Sequence, residues 1–330
     1  MTAIQKIIVT GGAGYIGSHA CKMLANSGFT PVVVDNLSTG FRWAVQWGEL
    51  EECDIRDGDK LSQIFERHNP VAVVHFAAKA YVGESVENPD IYYHNNVIGT
   101  MSLLDIMHQH DVQRLVFSST CATYGAPESV PIDESQRQAP ISPYGVSKLT
   151  AERMMMDYGL AYGLRFVALR YFNAAGADPE GEIGEAHDPE HHLIPLVLDV
   201  AAERREEIHV FGTDYDTPDG TCIRDYIHVT DLAEAHVLAL NYLLAGGDTQ
   251  FLNLGNNQGF SVREVITAAK KITGRNIEVV ESTRRPGDPA QLIGDSTLAN
   301  KTLGWTPQLS GIDIQIEDAW RWHMKFHQHN

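Results

Sequence analysis

The sequence predicts an α/β fold with a doubly wound, Rossmann-like parallel sheet and a smaller C-terminal α/β domain. In the first half of the 330-residue chain, continuous apolar runs of strand length alternate with helical patterns. That alternation is typical of a parallel sheet covered by helices on both faces. After Tyr171 it gives way to loops rich in Gly, Asp and Glu. We therefore expect domains at 1–172 and 173–330, with segments near 226–255 returning to the first.

Each element follows from its hydrophobic period and its flanking residues. Short apolar runs predict strands at 7–10, 31–35, 71–76, 114–118, 165–170 and 251–255, with a further strand ending at Cys53. Helical spacing predicts helices at 15–27, 58–68, 90–110, 144–162, 193–204, 230–245, 261–273 and 312–328.

Charge and composition exclude several classes of protein. The formal net charge of −18 would repel DNA or RNA, so we expect no nucleic-acid partner. Four cysteines show neither CxxC pairing nor metal spacing. The chain runs from Met1 almost directly into its first strand, and no apolar run approaches the roughly 18 residues of a membrane span. We expect a cytoplasmic protein without a membrane anchor.

A glycine-rich turn follows the first strand and opens the first helix. Gly11, Gly14 and Gly17 fit Gly-x-x-Gly-x-x-Gly, and Gly12 with the last two also fits Gly-x-Gly-x-x-Gly. Such a turn lets the backbone approach a pyrophosphate at a helix N-terminus. Asp35, at the end of the next strand, can accept the ribose hydroxyls and would repel a 2′-phosphate, which favours NAD over NADP. The alternative is that Asp35 only begins a turn.

A tyrosine and a lysine four residues apart predict acid–base chemistry on a hydroxyl. Tyr144 and Lys148 would share one helix face. A phenol has a pKa near 10, and an adjacent ammonium and a positively charged nicotinamide would both lower that pKa. Alone, this pair fits a surface tyrosine equally well. The segment 117–120 ends a strand at the sheet edge where ligands bind, and Thr120 there offers a hydroxyl to the reacting oxygen.

With these residues the chain resembles the extended short-chain dehydrogenase/reductase family, and within it the enzymes that epimerise UDP-hexoses at C4. The resemblance covers nearly the whole chain. Its motifs lie at 10–19, 35–37, 54–56, 75–78, 82–85, 95–97, 118–120, 142–148, 170–173, 211–215, 219–221, 224–229 and 284–288.

The resemblance implies interconversion of UDP-galactose and UDP-glucose through a 4-keto sugar, with NAD that stays bound. Domain 1–172 would bind NAD and domain 173–330 the UDP-sugar. Tyr144 would be the base, Lys148 would hold the nicotinamide ribose, and Thr120 would bond the sugar hydroxyl. The residues expected along the cofactor are Gly11, Gly14, Tyr15, Ile16, Gly17, Asp35, Asn36, Asp54, Ile55, Phe76, Ala77, Ala78, Asn96, Ser118, Tyr144, Lys148 and Tyr171. Those expected at the substrate are Thr120, Tyr144, Asn173, Leu193, Phe211, Arg224, Arg285, Asp288 and Leu292.

Three positions depart from the commonest pattern of that family. Thr120 replaces a serine and keeps the hydroxyl. Leu292 is intermediate between a tyrosine that narrows the sugar pocket and a small residue that admits N-acetylhexosamines, so we expect N-acetylated sugars to be poor substrates. His192 stands where an asparagine is common, and no role is carried over to it.

Other activities compete with this interpretation. A 4,6-dehydratase needs a carboxylate beside the active-site threonine, and Thr120 is followed by Cys121-Ala122-Thr123. A UDP-xylose/UDP-arabinose 4-epimerase, or a dual-substrate enzyme, stays open because one CH₂OH is worth only about 1–3 kcal/mol of discrimination. A catalytically inactive NAD-binding sensor is disfavoured by the intact tyrosine–lysine pair.

Histidine clusters invite a metal hypothesis, which the sequence does not favour. His187, His191 and His192 lie among acidic residues, but Pro189 breaks helical spacing and hydride transfer needs no metal. We expect no metal there, and a solvated helix face at His323 and His327. The resemblance also implies a homodimer packed through helices at 90–110 and 145–162.

Overall fold

The computed structural model describes residues 5–285 and 288–328. The strands are β1 (Lys6–Thr10), β2 (Thr30–Asp35), β3 (Glu49–Glu52), β4 (Ala72–His75), β5 (Arg114–Thr120), β6 (Arg165–Tyr171), β7 (Asn173–Ala175), β8 (Ile208–Phe211), β9 (Ile223–Arg224), β10 (Tyr226–His228), β11 (Gln250–Leu254), β12 (Phe260–Ser261), β13 (Val279–Ser282) and β14 (Gln291–Leu292). The helices are α1 (Tyr15–Asn26), α2 (Gly58–His68), α3 (Val82–Glu87), α4 (Pro89–Tyr92), α5 (Gly99–Gln109), α6 (Pro143–Tyr162), α7 (Leu193–Ala201), α8 (Val229–Leu244), α9 (Val262–Thr273), α10 (Thr297–Leu303) and α11 (Ile312–Gln328).

Within the described residues, seven strands form one parallel sheet in the order β3-β2-β1-β4-β5-β6-β11. The order reverses beside β1, between β1 and β4, which is the switch point where doubly wound sheets bind their ligands. The predicted fold class is confirmed. The strands that build the sheet are almost wholly buried at its centre, because helices cover both faces.

Two layers of helices sandwich the sheet. On one face α1 and α8 pack together over residues such as Leu24 and Leu240. On the other face α2, α5 and α6 cover a second apolar cluster that includes Phe65 and Phe117. Strand β11 brings residues far along the chain to the sheet edge beside β6.

The second half builds a smaller lobe with its own core. Helices α7, α9 and α11 pack around a cluster that includes Val197, Val210 and Val265. Its strands are short and lie in pairs or triplets: β7 with β10, β8 with β13, and β9 between β12 and β14. We propose the division at residues 172/173, with 226–255 returning to the first lobe.

The structure departs from the predicted helix at 90–110. The segment runs as α4, then a π-helical turn at Tyr93–Ile98, and then α5. The wider turn carries Asn96, whose side chain is buried between the loop after β4 and helix α6. Such π turns are frequent at functional sites. Among the described residues, every helix is too short or too polar to span a bilayer.

Candidate active site

The glycine-rich turn lies at the carboxyl end of β1. Gly11 has a φ of +71°, and a Cβ there would lie 2.6 Å from the backbone nitrogen of Ala77. A Cβ at Gly17 would lie 2.2 Å from the carbonyl oxygen of Gly11. Gly14 is the N-cap of α1 and bonds back to Gly11. The turn is therefore closed so tightly that only glycine fits at Gly11 and Gly17.

Asp35 braces this turn from the end of β2. Its carboxylate accepts hydrogen bonds from the backbone N–H of Ala13 (3.0 Å) and of Leu37 (2.8 Å). Burial raises the pKa of Asp35, and the two backbone bonds oppose that shift. Both oxygens keep a further lone pair, since each accepts only one bond. Asp35 does begin a turn, which is the alternative interpretation of this residue. Its free lone pairs also leave it able to accept hydrogen bonds from hydroxyl groups.

The residues around the turn fit a bound dinucleotide. Within residues 5–285 and 288–328, no side-chain cap is found at the N-terminus of α1, and its first turn carries no acidic residue. Backbone N–H groups there face the space above the glycines, which suits a pyrophosphate. Tyr15 and Ile16 lie in that first turn, and the Tyr15 hydroxyl donates to the carbonyl oxygen of Gly176 (2.6 Å).

Three residues expected along the cofactor beyond β2 and β3, Asn36, Asp54 and Ile55, are already engaged within the protein. Asp54 accepts from the Arg56 side chain (2.9 and 2.7 Å) and from Asn36 (2.9 Å). The Arg56 guanidinium holds the pKa of Asp54 well below its usual range. The side chain of Ile55 is buried in the sheet's second core. Asp54 and Asn36 thus form one polar rim beyond β2 and β3, and only the backbone of Ile55 borders it.

Replacement of Gly17 by alanine should remove the cofactor. The added Cβ must displace the Gly11 carbonyl, because 2.2 Å is far inside van der Waals contact. A distortion of the turn that costs about 1.4 kcal/mol of binding free energy lowers the affinity for NAD tenfold. We therefore expect the purified Gly17→Ala protein to carry at least about tenfold less NAD. Absorbance of nucleotide released by acid measures this. Gly58→Ala is the matched control, because a Cβ there meets only ordinary contacts; equal NAD in both variants would contradict the assignment.

Tyr144 and Lys148 lie in the first turns of α6, against the end of β5. The helix begins at Pro143, and the Ser142 hydroxyl caps it by accepting from the Gly145 N–H (3.2 Å). Lys148 is buried, and its Nζ donates to the carbonyl oxygen of Ser118 (2.8 Å). The Thr120 hydroxyl lies close enough to Tyr144 to act on the pKa of the phenol. The end of β5 and the start of α6 therefore bring Ser118, Tyr144 and Lys148 close together.

In the protein alone, without a nicotinamide beside it, the pKa of Tyr144 is raised. Burial raises that pKa to about 12, and the Thr120 hydroxyl only partly opposes the shift. Burial lowers the pKa of Lys148 to about 7, with Glu152 acting in the other direction. Both shifts favour the neutral forms, as desolvation does for any ionisable group. A phenolate here needs a further positive charge beside it.

Two more hydroxyls lie beside this pair. The Ser118 hydroxyl and the Tyr171 hydroxyl are 2.5 Å apart across β5 and β6. The Thr120 Oγ1 accepts from the Ala122 N–H (3.1 Å), which orients its hydroxyl at the strand end. Ser118, Thr120 and Tyr171 all stand at the carboxyl edge of the sheet, where the sequence placed them.

The loop after β4 forms the other wall. The Phe76 and Ala77 N–H groups both donate to the Thr10 carbonyl, so the loop that continues through Ala78 is tied to the glycine turn. Asn96 bonds the Lys79 backbone at both ends of its amide (2.8 and 2.9 Å) and donates to the Ser147 hydroxyl (3.0 Å). Its amide is already used within the protein, so Asn96 positions this loop against α6.

The second lobe supplies a basic and aromatic patch. Arg224 on β9 is mostly buried and pairs with Asp288. Leu292 on β14 lies beside it in register. The Arg285 guanidinium lies over the Phe211 ring, 4.1 Å from its centre. These five residues come from three segments of the second lobe, and a backbone hydrogen bond from Asp288 to Arg285 (3.3 Å) joins the two pairs.

Asn173 begins β7, and Leu193 begins α7 and packs against the core of the second lobe. The Asn173 side-chain amide donates to the Asp225 carbonyl (3.0 Å). The sequence analysis assigned no role to Asp225, whose buried carboxylate accepts hydrogen bonds from the backbone N–H groups of Asn256 (3.0 Å) and Gly294 (3.1 Å). Burial raises the pKa of Asp225 to about 7. Its place directly after Arg224 in the Arg-Asp-Tyr run was a signal for it.

A buried ion pair lies directly behind the acid–base pair and was also missed. Glu152 pairs with Arg170 through two hydrogen bonds (2.9 and 2.7 Å) and accepts from the Ser119 hydroxyl (2.6 Å). Glu152 follows Lys148 by four residues on the same face of α6, so helical spacing could have revealed it. The pair fixes the end of β5 next to Thr120.

Comparisons with known proteins agree with this geometry. The family model of the NAD dependent epimerase/dehydratase family matches residues 7–255. The UDP-glucose 4-epimerase of Rhizobium meliloti (strain 1021) is 54% identical over 324 residues, covering 98% of this chain and 98% of that protein.

Solved structures superpose over nearly the full length. The UDP-glucose 4-epimerase of Brucella ovis in complex with NAD is 54% identical, with a TM-score of 0.94 and coverage of 96% of this chain and 97% of that chain. The UDP-glucose-4-epimerase of Stenotrophomonas maltophila, with bound NAD and formylated UDP-arabinopyranose, is 38% identical, with a TM-score of 0.95 and coverage of 99% and 100%.

The fold and the glycine turn define a dinucleotide-binding protein of the doubly wound class. The chain belongs to the NAD dependent epimerase/dehydratase family. The resemblance drawn from the sequence and the prediction of NAD as the cofactor are confirmed.

Proposed function

We propose that this chain is an isomerase that interconverts UDP-galactose and UDP-glucose by epimerisation at C4, with NAD retained between turnovers. The observation that carries the proposal is the near-full-length likeness to UDP-glucose 4-epimerases in a chain that keeps Tyr144, Lys148 and Thr120 at one point. Bound NAD supplies the acceptor, and later the donor, of the C4 hydride. Residues of this chain carry out the proton transfer and bind the substrate.

Tyr144 takes the proton of the sugar 4-hydroxyl while C4 loses its hydride, which leaves a 4-keto sugar. A phenol with a pKa of about 12 holds a phenolate in only about one molecule in 10⁵ at pH 7. The positive charge of an oxidised nicotinamide, together with the Lys148 ammonium, favours the phenolate when both adjoin the phenol. Proton removal is therefore strongest when the cofactor is oxidised.

Thr120 completes the proton-transfer geometry. Its hydroxyl adjoins Tyr144 at the end of β5, which places it to bond the same 4-oxygen. Return of the hydride to the opposite face requires the 4-keto sugar to turn within the site, so the sugar must be held loosely. Tight binding then has to come from the uridine diphosphate.

The basic patch of the second lobe suits that requirement. Guanidinium groups bind phosphate oxygens bidentately, and Arg224 and Arg285 are the arginines placed on the patch. Asp288 holds Arg224 in place, and the Phe211 ring offers a flat apolar contact beside Arg285. We propose that Asn173 and Leu193 line the same cleft, with Leu292 nearest the sugar.

Arg224→Lys should weaken substrate binding more than catalysis. Lysine keeps the charge but loses the bidentate fork, worth about 1.5–3 kcal/mol for a charged hydrogen bond. We expect the KM for UDP-galactose to rise about 10–100-fold, with kcat changed by less than about fivefold. Steady-state kinetics measure the split. Arg263→Lys, in an exposed pair with Glu281, is the control and should leave both constants unchanged; a fall in kcat alone would contradict the role.

The function itself is tested with UDP-galactose and no added NAD. Proton NMR of the anomeric signals should show conversion to a mixture of UDP-glucose and UDP-galactose, because the cofactor stays bound. Failure to convert, even with NAD supplied, would leave an NAD-binding protein without epimerase activity.

A UDP-pentose is the second candidate substrate. The Stenotrophomonas maltophila relative was solved with formylated UDP-arabinopyranose, a pentose derivative, which supports this candidate. A missing CH₂OH changes binding by only about 1–3 kcal/mol, so one site can serve both sugars. The ratio of kcat/KM for UDP-galactose and UDP-arabinose decides between them, and UDP-N-acetylglucosamine should be the poorest substrate because Leu292 fills the sugar side.

We also propose a homodimer. Helices α3 to α6 expose apolar side chains that include Val86 (64%), Met101 (44%) and Leu160 (84%). Apolar side chains of this size on neighbouring helices are typical of a surface that pairs with another protein. Light scattering should give twice the mass of one chain, and the mass of a single chain would contradict the proposal.

We propose a cytoplasmic location on chemical grounds. NAD and UDP-sugars are charged and do not cross a bilayer unaided, so an enzyme that uses both should work where they are made. Fractionation of the native host, with this chain followed by antibody, measures its location.

A further inference from the structure

The loop before α7 gathers four side chains with metal-ligating atoms. Glu185, His187, Glu190 and His192 bring one ligand atom each to within 4.8 Å of one another. Sequence analysis expected no metal here because Pro189 breaks helical spacing. The loop brings the four together without a helix, so that argument does not hold.

The atoms converge in pairs. The His187 Nδ1 lies 3.1 Å from Glu185 Oε1 and 3.7 Å from Glu190 Oε1. The His192 Nδ1 contacts the same Glu185 Oε1 and lies 3.8 Å from the same Glu190 Oε1. Both histidines thus direct Nδ1 at the same two oxygens.

Three of these four separations are near those of a tetrahedral metal centre. Zinc binds His nitrogen and carboxylate oxygen at about 2.0–2.2 Å, so the ligand atoms of a tetrahedron are about 3.3–3.6 Å apart. The separations of 3.1, 3.7 and 3.8 Å lie near that value, and the fourth, between His192 Nδ1 and Glu185 Oε1, is a shorter hydrogen-bond contact that opens when a metal ion binds. Glu190 Oε1 is held in place by the backbone N–H groups of His191 (2.7 Å) and His192 (2.8 Å).

Charge distinguishes this group from the other three of similar composition among the described residues. In those, a basic side chain already pairs with a carboxylate: Arg204 with Asp199 (3.2 Å), Arg67 with Glu51 (2.8 Å) and Lys22 with Asp178 (2.8 Å). Around Glu185 and Glu190 the ion-pair partners in the described structure are the two histidines. With neutral imidazoles the four groups carry −2, which a divalent cation neutralises.

We propose that Glu185, His187, Glu190 and His192 form a zinc-binding site that holds this loop. Access is open from one side, since the His192 side chain is 54% exposed while that of Glu185 is 6% exposed. The loop contacts both ligand regions: the Tyr15 ring lies edge-on to His187, and Leu193 follows directly after His192. A bound ion therefore fixes the segment between the cofactor turn and α7.

The site is anchored to the second lobe as well. The Trp322 Nε1 of α11 donates to the Glu185 carbonyl (2.9 Å), and Tyr81 stacks on His191 with ring centres 3.7 Å apart. Zinc at this position would tie together the loop after β4, the start of α1 and α11. The proposal does not depend on the sugar substrate.

Titration of tag-free, chelator-treated protein with Zn²⁺ tests the site. We expect one equivalent to bind, and Co²⁺ in its place to give the intense visible absorption of a tetrahedral centre. Loss of an outer-shell contact alone costs about 10–100-fold in metal affinity, so His187→Asn and Glu190→Gln should each cost at least about 100-fold. His327→Asn, in the group with Asp199, is the matched control and should keep the full equivalent.

Two results would overturn the proposal. One is a wild-type protein that binds neither Zn²⁺ nor Co²⁺, which would leave two histidine–glutamate ion pairs. The other is a zinc equivalent lost in His327→Asn and kept in His187→Asn. Because the wild-type stoichiometry and the Co²⁺ spectrum need no variant, the test stands even where a substitution impairs folding.

Discussion

Tyr144→Phe should reduce kcat for UDP-galactose by about 10²–10⁴-fold, the usual contribution of a positioned general base. The substitution removes one hydroxyl and leaves the ring, whose edge contact with Tyr92 is unchanged. Substrate binding should change little, because the uridine diphosphate is held by the second lobe. Steady-state kinetics, with the NAD content of the same preparation, measure the effect.

Tyr158→Phe is the matched control for this variant. It removes a hydroxyl from the same helix, where the Tyr158 oxygen bonds Asp105 on the outer surface. The control should keep wild-type activity. Equal losses in both variants would mean that α6 had been disturbed, and full activity in Tyr144→Phe would exclude it as the base.

Lys148→Met should give the second largest effect, a loss of about 10–1,000-fold in kcat at neutral pH. A cation beside an acidic group lowers the pKa of that group by about 1–3 units. Because burial lowers the pKa of Lys148 to about 7, the lysine acts as this cation at neutral pH and below, and its removal there raises the pKa of the phenol by the same amount. Activity rises with pH as the phenolate forms, and that rise should move to higher pH in the variant. The pH profile of kcat therefore separates this effect from a general loss of folding.

Lys148 also donates to the Ser118 carbonyl, so its loss leaves a buried acceptor without that bond. We expect a cost of about 1–3 kcal/mol in the free energy of unfolding. Arg153→Met, on the exposed side of the same helix, is the control and should change neither the profile nor the stability. An unshifted pH profile in Lys148→Met would contradict its role in tuning Tyr144.

The fold could be predicted because buried parallel strands leave a plain signal. Runs such as 7–10 and 71–76 are continuously apolar, and the glycine turn marks the first crossover. The strands of the second lobe gave no such signal, because β9, β12 and β14 have two residues each. Their pairing is fixed by long-range contacts around Asp225, which local patterns do not contain.

Part of the candidate site could likewise be predicted from the sequence, and part could not. The types and spacing of Tyr144 and Lys148 placed both on α6, since helical geometry alone determines that face. The protonation of Tyr144 could not be predicted, because burial raises its pKa to about 12 and burial depends on the whole fold. The role of Asn96 could not be predicted either. Its side-chain amide is hydrogen-bonded to the Lys79 backbone, and the π turn that places it there left no pattern in the sequence.

Conversion of UDP-galactose carrying deuterium at C4 tests the central claim most directly. If C4 loses its hydrogen to the bound cofactor and regains the same hydrogen on the other face, the UDP-glucose formed should keep the deuterium at C4, even in ordinary water. Proton NMR of the product reads this out at a single position. Deuterium lost to solvent would contradict the account, since it would mean that C4 is epimerised through an exchangeable proton.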